Sequence, residues 1–248
     1  VRSISQIEAA NDIDAVVICT PTDTHADLIE RFSRAGKAIF CEKPIDLDVE
    51  RVKACLKVVD AENATLMVGF NRRFDPHFAA VKRAIDEGRI GAVEQVVITS
   101  RDPAPPPLAY LKVSGGMFRD MTIHDFDMAR WLLGEEPVEL FASGSCLIDP
   151  AIAELADVDT AVVVLKTASG RMCTIDNSRR AVYGYDQRVE AFGSNGVAAS
   201  DNPPIHTTIR RDADGLVGLS LSGPVEVETV VSQGCRPVGR PHHGEGQR

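Results

Sequence analysis

Short apolar segments that alternate with amphipathic segments constrain the fold of this chain more than any other feature of its sequence. The first apolar run, Ala15 to Cys19, is followed by an amphipathic stretch over residues 22–35. Gly36 interrupts the helical pattern, and a second apolar run, Ala38 to Cys41, comes directly after it. This order of strand, helix and strand predicts a parallel sheet that is covered by helices on both faces.

The two turns that follow these strands are candidate ligand positions. They are Thr20-Pro21 after the first strand and Glu42-Lys43-Pro44 after the second. Ligands of parallel sheets bind at the carboxyl ends of the strands, which is where both turns lie. We expect Thr22 or Asp23 to cap the helix between the strands.

The pattern changes after Gly91. Before it, strand and helix signals alternate, with helices predicted over 48–60 and 76–87 and a strand over 66–70. After it, one strong helix at 117–133 is accompanied by β-rich segments at 93–99, 138–145, 160–166, 171–177 and 188–193. The sequence predicts an α/β plus α+β protein, in which a partial Rossmann domain with a doubly wound parallel sheet precedes a mostly antiparallel open-sheet domain. The predicted bounds are 1–72 for the partial dinucleotide-binding domain, 73–215 for the substrate and oligomerisation domain, and 216–248 for an atypical, disordered tail.

The helix predicted at 117–133 carries the polar residues that are best suited to proton transfer. Asp120, His124 and Asp127 are spaced four and three residues apart, so that they share one face of a continuous helix. On that face two acids and an imidazole can orient one another around a small polar ligand. The alternative is a solvated polar stripe, but apolar residues flank the three on both sides. We expect Asp125 to be exposed or to serve as a cap.

Four motifs in the same order resemble the Gfo/Idh/MocA oxidoreductases. They are Thr20-Pro21 with His25, Glu42-Lys43-Pro44, the segment GFNRRF at 69–74, and the helix with Asp120, His124 and Asp127. The resemblance extends over residues 1–202. The segments at 100–110 and 183–187 resemble the branch of the family that oxidises inositols. The resemblance to this family implies a dehydrogenase that uses NAD or NADP, acts on a small polyol and forms a homo-oligomer.

The resemblance also assigns residues to roles. The catalytic set that it implies is Lys43, Asp120 and His124. The residues that it places against the cofactor are Thr20, Pro21, His25, Glu42 and Lys43. The residues that it places against the substrate are Asn71, Arg73, Asp127 and Tyr183. It further implies a cis peptide bond at Lys43-Pro44.

Elementary chemistry agrees with these roles. Removing a hydride from a secondary alcohol requires loss of the hydroxyl proton, which a neutral His124 can accept. Asp120 would orient that ring, and Lys43 would favour negative charge on the oxygen. Two alternatives stay open: Arg73 can instead pair with Asp75 or Asp120, and Tyr185 can take the place of Tyr183.

Composition excludes several classes of partner. The chain has 27 basic and 36 acidic residues, a net charge of −9, so that neither nucleic acid nor an anionic membrane is expected to bind it. It contains neither a run of about 18 apolar residues nor the apolar segment of a secretion signal, and we expect a cytoplasmic protein. The six cysteines are expected to be reduced, buried thiols, and no metal site is expected.

The sequence departs from the family pattern in two places, and two other functions therefore stay open. No GxGxxG stands near the beginning of the chain, so we expect an N-terminally truncated domain that binds nicotinamide cofactor poorly. The segment from Leu216 onward, rich in Gly, Pro, Arg and His, replaces an expected helix. One alternative is a catalytically silent binding or assembly fragment. Another is a metal-dependent hydrolase with Asp120, His124 and Asp127 as ligands.

Overall fold

A computed structural model describes residues 2–202, 209–212 and 215–218 of the chain. They fall into two compact units, one ending at Asn202 and the other beginning at Pro203. The first unit contains two sheets, one parallel and one mixed. The α/β plus α+β class predicted from the sequence is confirmed.

The first sheet consists of three parallel strands in the order β1, β2, β3. Its elements in chain order are α1 (Ile4–Glu8), β1 (Ala15–Ile18), α2 (His25–Arg34), β2 (Ala38–Cys41), α3 (Val49–Ala61) and β3 (Leu66–Val68). Apolar residues of α2 and α3 pack with Ile18 and Ile39 into one core. On the other face, Val17 and Met67 are 70% and 42% exposed. Within the described residues, the predicted cover on both faces is therefore present on one face only.

The helix α2 begins later than the sequence suggested. Thr22 to Thr24 form a 3₁₀ turn, and Thr24 is the N-cap residue of α2, but its side chain makes no capping hydrogen bond to the helix. The prediction that Thr22 or Asp23 caps this helix is therefore wrong. The 3₁₀ turn moves the start of the helix to His25, whose side chain is buried.

The second sheet has six strands in the order β5, β6, β7, β4, β8, β9. Its strands and the helices around it are α4 (Pro76–Asp86), β4 (Val93–Arg101), α5 (Leu108–Ser114), α6 (Met117–Asp120), α7 (Thr122–Leu133), β5 (Pro137–Ser145), α8 (Pro150–Ala153), β6 (Thr160–Thr167), β7 (Met172–Ser178), β8 (Asp186–Gly193) and β9 (Gly196–Ser200). Only β4 and β7 pair in parallel, and the other neighbours are antiparallel. Helices α4 and α7 pack on one face, where Met128 and Leu132 meet Ile98 and Ile175.

The predicted helix over 117–133 is two helices. The break falls at Met121, whose φ of −103° and ψ of −60° end α6 and precede α7. Met117 and Met121 are buried together with Ala161 in a small separate core. Asp120 therefore belongs to α6, and it does not share a continuous helical face with His124 and Asp127.

Several smaller features complete the fold. All five described cysteines are free thiols, and Cys41, Cys55 and Cys173 are buried as predicted. Cys19 is exposed instead, because it lies just beyond the end of β1. No helix among the described residues is long and apolar enough to cross a membrane.

The second unit is described at one hairpin. Its antiparallel strands are β10 (Ile209–Asp212) and β11 (Gly215–Gly218). The predicted disordered tail at 216–248 is wrong for its first three residues, which are part of β11. Residues 219–248 lie outside the described part of the chain, and that prediction stays untested there.

Candidate active site

Lys43 connects the end of the parallel sheet to the helices beside the second sheet. It follows β2, and its peptide bond to Pro44 is cis, which confirms the prediction from the sequence. The Nζ atom of Lys43 donates to the backbone oxygen of Asp120 at 2.7 Å and lies 3.6 Å from its carboxylate. The lysine is therefore held beside Asp120, although the two are 77 residues apart in the sequence.

The carboxylate of Asp120 has two further partners that the sequence analysis missed. Its Oδ1 accepts a hydrogen bond from the Tyr110 hydroxyl at 2.7 Å, and its Oδ2 lies 3.3 Å from Nη1 of the fully buried Arg179. Burial, followed by the bond to Asp120, raises the pKa of Tyr110 to about 12, so that this hydroxyl remains a donor. Asp120 is thus fixed from three sides by Lys43, Tyr110 and Arg179.

His124 is neutral at physiological pH in this environment. Burial, with smaller contributions from the charges of Arg72 and Lys43, lowers the pKa of His124 to about 3. A neutral imidazole has a free lone pair and can accept a proton. Such a low pKa makes the ring a weak base.

The structure holds the His124 ring differently from the prediction. Its Nδ1 atom is buried without a hydrogen-bond partner among the described residues, so Asp120 does not orient it through a direct bond. The Phe70 ring forms a T-shaped pair with the His124 ring, with centroids 6.4 Å apart and planes at 86°. The described neighbour of the ring is therefore aromatic, in place of the predicted bond to Asp120.

Asp125 is buried, and the prediction that it is exposed or a cap is wrong. The carboxylate, 0% exposed, pairs with Arg72 from the 3₁₀ turn after β3. It also accepts a hydrogen bond from Nδ2 of Asn177 at 2.8 Å, and Arg72 donates to Oγ of Ser100 at 3.0 Å. This network joins the end of the parallel sheet to α7 and to the middle of the second sheet.

Arg73 forms the neighbouring ion pair with Asp127. Its Nε and Nη2 atoms donate to the two carboxylate oxygens at 2.8 and 2.6 Å. Its guanidinium carbon also lies 5.9 Å from the centroid of the Trp131 ring. Neither alternative partner holds: Asp75 caps α4, and Asp120 has the partners described above. The pair brings together two of the predicted substrate-binding residues.

In the described part of the chain, the other two predicted substrate residues form no hydrogen bond with this pair. Asn71 is exposed at the start of the 3₁₀ turn. Tyr183, 53% exposed, donates to Asp186 at 2.6 Å and accepts from Nη1 of Arg101 at 3.3 Å. Tyr183 thus belongs to a polar cluster at the ends of β4 and β8.

The predicted cofactor residues are brought together by the pairing of β1 with β2. Ile18 is opposite Cys41, so Thr20-Pro21 and Glu42-Lys43 follow neighbouring strand ends. The Thr20 hydroxyl is bonded to that of Thr24 at 2.6 Å, and Oε2 of Glu42 accepts from the Lys43 amide at 3.3 Å. His25 lies buried between the two turns.

Models of known protein families match both parts of the first unit. Residues 1–70 match the family model "Oxidoreductase family, NAD-binding Rossmann fold", and residues 78–199 match "GFO/IDH/MocA C-terminal domain". The chain is 71% identical over 202 residues to the inositol 2-dehydrogenase of Rhizobium meliloti (strain 1021), covering 82% of this chain and 61% of that protein. It therefore spans less than two thirds of the length of this relative.

Solved structures give the same relationship. A myo-inositol dehydrogenase from Corynebacterium glutamicum has a TM-score of 0.87 at 45% identity, over 93% of this chain and 69% of that one. The scyllo-inositol dehydrogenase from Lactobacillus casei, solved with NAD(H) and scyllo-inositol, has a TM-score of 0.78 at 29% identity, over 88% and 66%.

Proposed function

Because the chain belongs to the Gfo/Idh/MocA family of oxidoreductases, we propose that it transfers a hydride from a secondary alcohol of a polyol to NAD⁺, with NADP⁺ as the alternative cofactor. Myo-inositol is the first candidate substrate, since the relatives named above are inositol dehydrogenases. The observation that carries the proposal is the position of Lys43 against Asp120, near a neutral His124.

The residues fit a nicotinamide cofactor at the neighbouring strand ends. Thr20-Pro21 and Glu42-Lys43 stand side by side where a parallel sheet presents its ligand site. When bound there, the cofactor would supply the acceptor for the hydride. The chain itself has to place the alcohol and remove its proton.

The proposed chemistry divides these tasks among three residues. Nζ of Lys43 donates to the alcohol oxygen and stabilises the negative charge that develops on it. The lone pair of His124 accepts the hydroxyl proton as the C–H bond is lost and the C=O bond forms. Asp120, held by Tyr110 and Arg179, keeps Lys43 in place. For the remaining hydroxyl groups of a polyol, Asn71, Arg73, Asp127 and Tyr183 are the proposed contacts.

The structure gives less support to a metal-dependent hydrolase. Both oxygens of Asp127 accept from Arg73, and those of Asp120 are bonded to Tyr110 and Arg179. An ion shared with His124 would have to displace these partners, of which Arg73 and Arg179 are cations. The charges already present favour an alcohol over a divalent cation.

A chimaera tests the proposed function. Residues 1–202 of this chain would replace the matching residues of the Rhizobium meliloti relative, which supplies the rest of that protein. We expect NAD⁺ reduction with myo-inositol at a rate within about tenfold of the parent. A chimaera that folds and binds NAD⁺, but turns over neither myo-inositol nor scyllo-inositol, would contradict the proposed substrate class.

Lys43→Arg in this chimaera is expected to lower kcat by about 100-fold, as the loss of an oxyanion contact does in other enzymes. Arginine keeps the charge, but its planar fork cannot replace a point contact on one oxygen. Steady-state kinetics measures the effect. The matched control is Lys53→Arg, at an exposed lysine of α3 that pairs with Glu50. Full activity of Lys43→Arg would show that Lys43 provides only general electrostatics.

We also propose that the face of the second sheet opposite α4 and α7 pairs with a second copy of the chain. Val97, Val162, Met172 and Phe192 lie on this face and are 39–46% exposed. Exposed apolar side chains on one sheet face indicate an interaction surface, and here polar residues such as Gln95 and Thr174 stand between them. The reduced thiols suit the cytoplasm, which we propose as the compartment.

Val162→Glu is expected to shift the protein towards monomer, because a charge on the proposed interface would be buried without a partner. Sedimentation velocity measures the shift. Val49→Glu is the control, since this valine is 62% exposed on α3, away from the sheet. If Val162→Glu leaves the mass of the protein in solution unchanged, this face is not the interface.

A further inference from the structure

Asp157 connects the start of α6 to the buried Arg179. Its side chain is 9% exposed, and its Oδ1 accepts hydrogen bonds from the backbone N–H groups of Met117 at 2.9 Å and Val158 at 2.8 Å. Met117 is the first residue of α6, and Asp120 is the last. The carboxylate of Asp157 therefore holds one end of the short helix that carries Asp120 at its other end.

The close contact between Asp157 and this helix favours glycine at position 116. Gly116 has a φ of +82°, in the left-handed region that residues with a side chain rarely adopt. A Cβ atom there would lie 3.0 Å from Oδ1 of Asp157, which is tighter than an ordinary van der Waals contact. The backbone before α6 is thus shaped to admit this carboxylate.

The other oxygen of Asp157 faces the guanidinium of Arg179, which is fully buried. Its Oδ2 lies 3.9 Å from Nη2 of Arg179, an ion pair without a direct hydrogen bond. Nη1 of the same arginine donates to Oδ2 of Asp120 at 3.3 Å, and Oδ1 of Asp120 lies 3.6 Å from Nζ of Lys43. Four charges therefore alternate in sign, in the order Lys43, Asp120, Arg179 and Asp157.

The position of Asp157 limits how Arg179 binds Asp120. Arginine and a carboxylate favour a bidentate pair with two parallel hydrogen bonds. Here Asp120 receives one N–H group of the guanidinium, while Nη2 pairs with Asp157. Without the charge of Asp157, Nη2 would be free to turn towards Asp120 as well. The carboxylate of Asp120 would then be drawn towards the arginine and away from Lys43.

We propose that Asp157 is a positioning residue, which acts on Lys43 through Arg179 and Asp120. Its negative charge balances Arg179, so that Asp120 remains available to Lys43 and Tyr110. This inference rests on the proposed function, in which Lys43 donates to the alcohol oxygen. It adds to that function a residue that no motif of the sequence indicated.

Asp157→Asn separates the charge of this residue from its contact with α6. The amide oxygen of asparagine can still accept from Met117 and Val158, but an NH₂ group then faces Arg179. In the chimaera, we expect kcat with myo-inositol to fall by about 10-fold to 100-fold, since a displacement of about 1 Å costs about 100-fold. The Kd for NAD⁺ is expected to change much less, because the turns after β1 and β2 keep their positions.

Asp149→Asn serves as the comparison for this variant. Asp149 also caps a short helix, since its Oδ1 accepts from the backbone N–H of Ala151 at 2.9 Å, but no described cation pairs with it. The kcat of Asp149→Asn is expected to equal that of the parent chimaera. If Asp157→Asn has the same kcat as this comparison variant, the proposal is overturned.

A second background separates action through Arg179 from a direct effect on α6. In Arg179→Met the chain of charges is already broken, so adding Asp157→Asn is expected to lower kcat by less than about twofold. A fall as large as in the parent background would show that Asp157 acts on the helix alone, and it would overturn the proposal. If Arg179→Met does not fold, the kcat of Asp157→Asn against that of Asp149→Asn decides.

Urea unfolding of the 248-residue chain tests the ion pair without reference to activity. Asp157→Asn is expected to lower the unfolding midpoint more than Asp149→Asn does, because it leaves a buried cation with one acid instead of two. Equal midpoints would overturn the pairing of Asp157 with Arg179. A parent chimaera that folds and binds NAD⁺, but oxidises no inositol, would reject the proposed function and leave the urea result intact.

Discussion

Replacing His124 by alanine is expected to lower turnover of myo-inositol by about 100-fold to 10,000-fold, which is the usual contribution of a positioned general base. The ring is neutral near pH 7, and it is the neutral form that accepts the proton. Alanine offers no acceptor at this position, so the proton has to leave through water. Binding of the substrate is expected to change less, because the proposed polyol contacts are made by other residues.

Steady-state and pre-steady-state kinetics of the chimaera measure this effect. His77→Ala is the matched control, since His77 is an exposed histidine on α4. A His124→Ala variant that keeps more than about a tenth of the parent turnover at neutral pH would show that another group is the base.

Asp125→Ala is expected to destabilise the fold by about 3–5 kcal/mol, the usual result of removing one partner of a buried ion pair. Arg72 would lose its carboxylate, and Nδ2 of Asn177 would lose an acceptor. Urea unfolding of the 248-residue chain, followed by circular dichroism, measures the change in the free energy of unfolding.

Two further variants separate the pair from a general effect of substitution. Asp86→Ala breaks an exposed pair with Lys82 and is expected to cost less than about 1 kcal/mol. The double variant Arg72→Met with Asp125→Leu removes both charges and is expected to recover most of the lost stability. If Asp125→Ala costs no more than Asp86→Ala, the buried network does not hold the site together.

The elements of the fold follow closely from local patterns. Helix α3 begins after Asp48, close to the start of the helix predicted over 48–60, and the strands β4 to β8 lie within a few residues of the predicted segments. Short elements such as α5, α8 and β9 were not predicted, because they are only four to seven residues long and carry no full period of the pattern. The position of Lys43 just after the end of β2 was likewise visible in the sequence.

The sequence by itself therefore determined the order of the elements and the residues that stand at the ends of the strands. Only the tertiary structure decided which charges meet. Arg72 pairs with Asp125, which is 53 residues away in the sequence, and Arg179 pairs with Asp120, which is 59 residues away. The break at Met121 also coincides with a tertiary contact, since that side chain is buried together with Met117 and Ala161. The physical reason is that propensity and periodicity act over a few residues, whereas ion pairing and burial depend on distances in space between segments that are far apart along the chain.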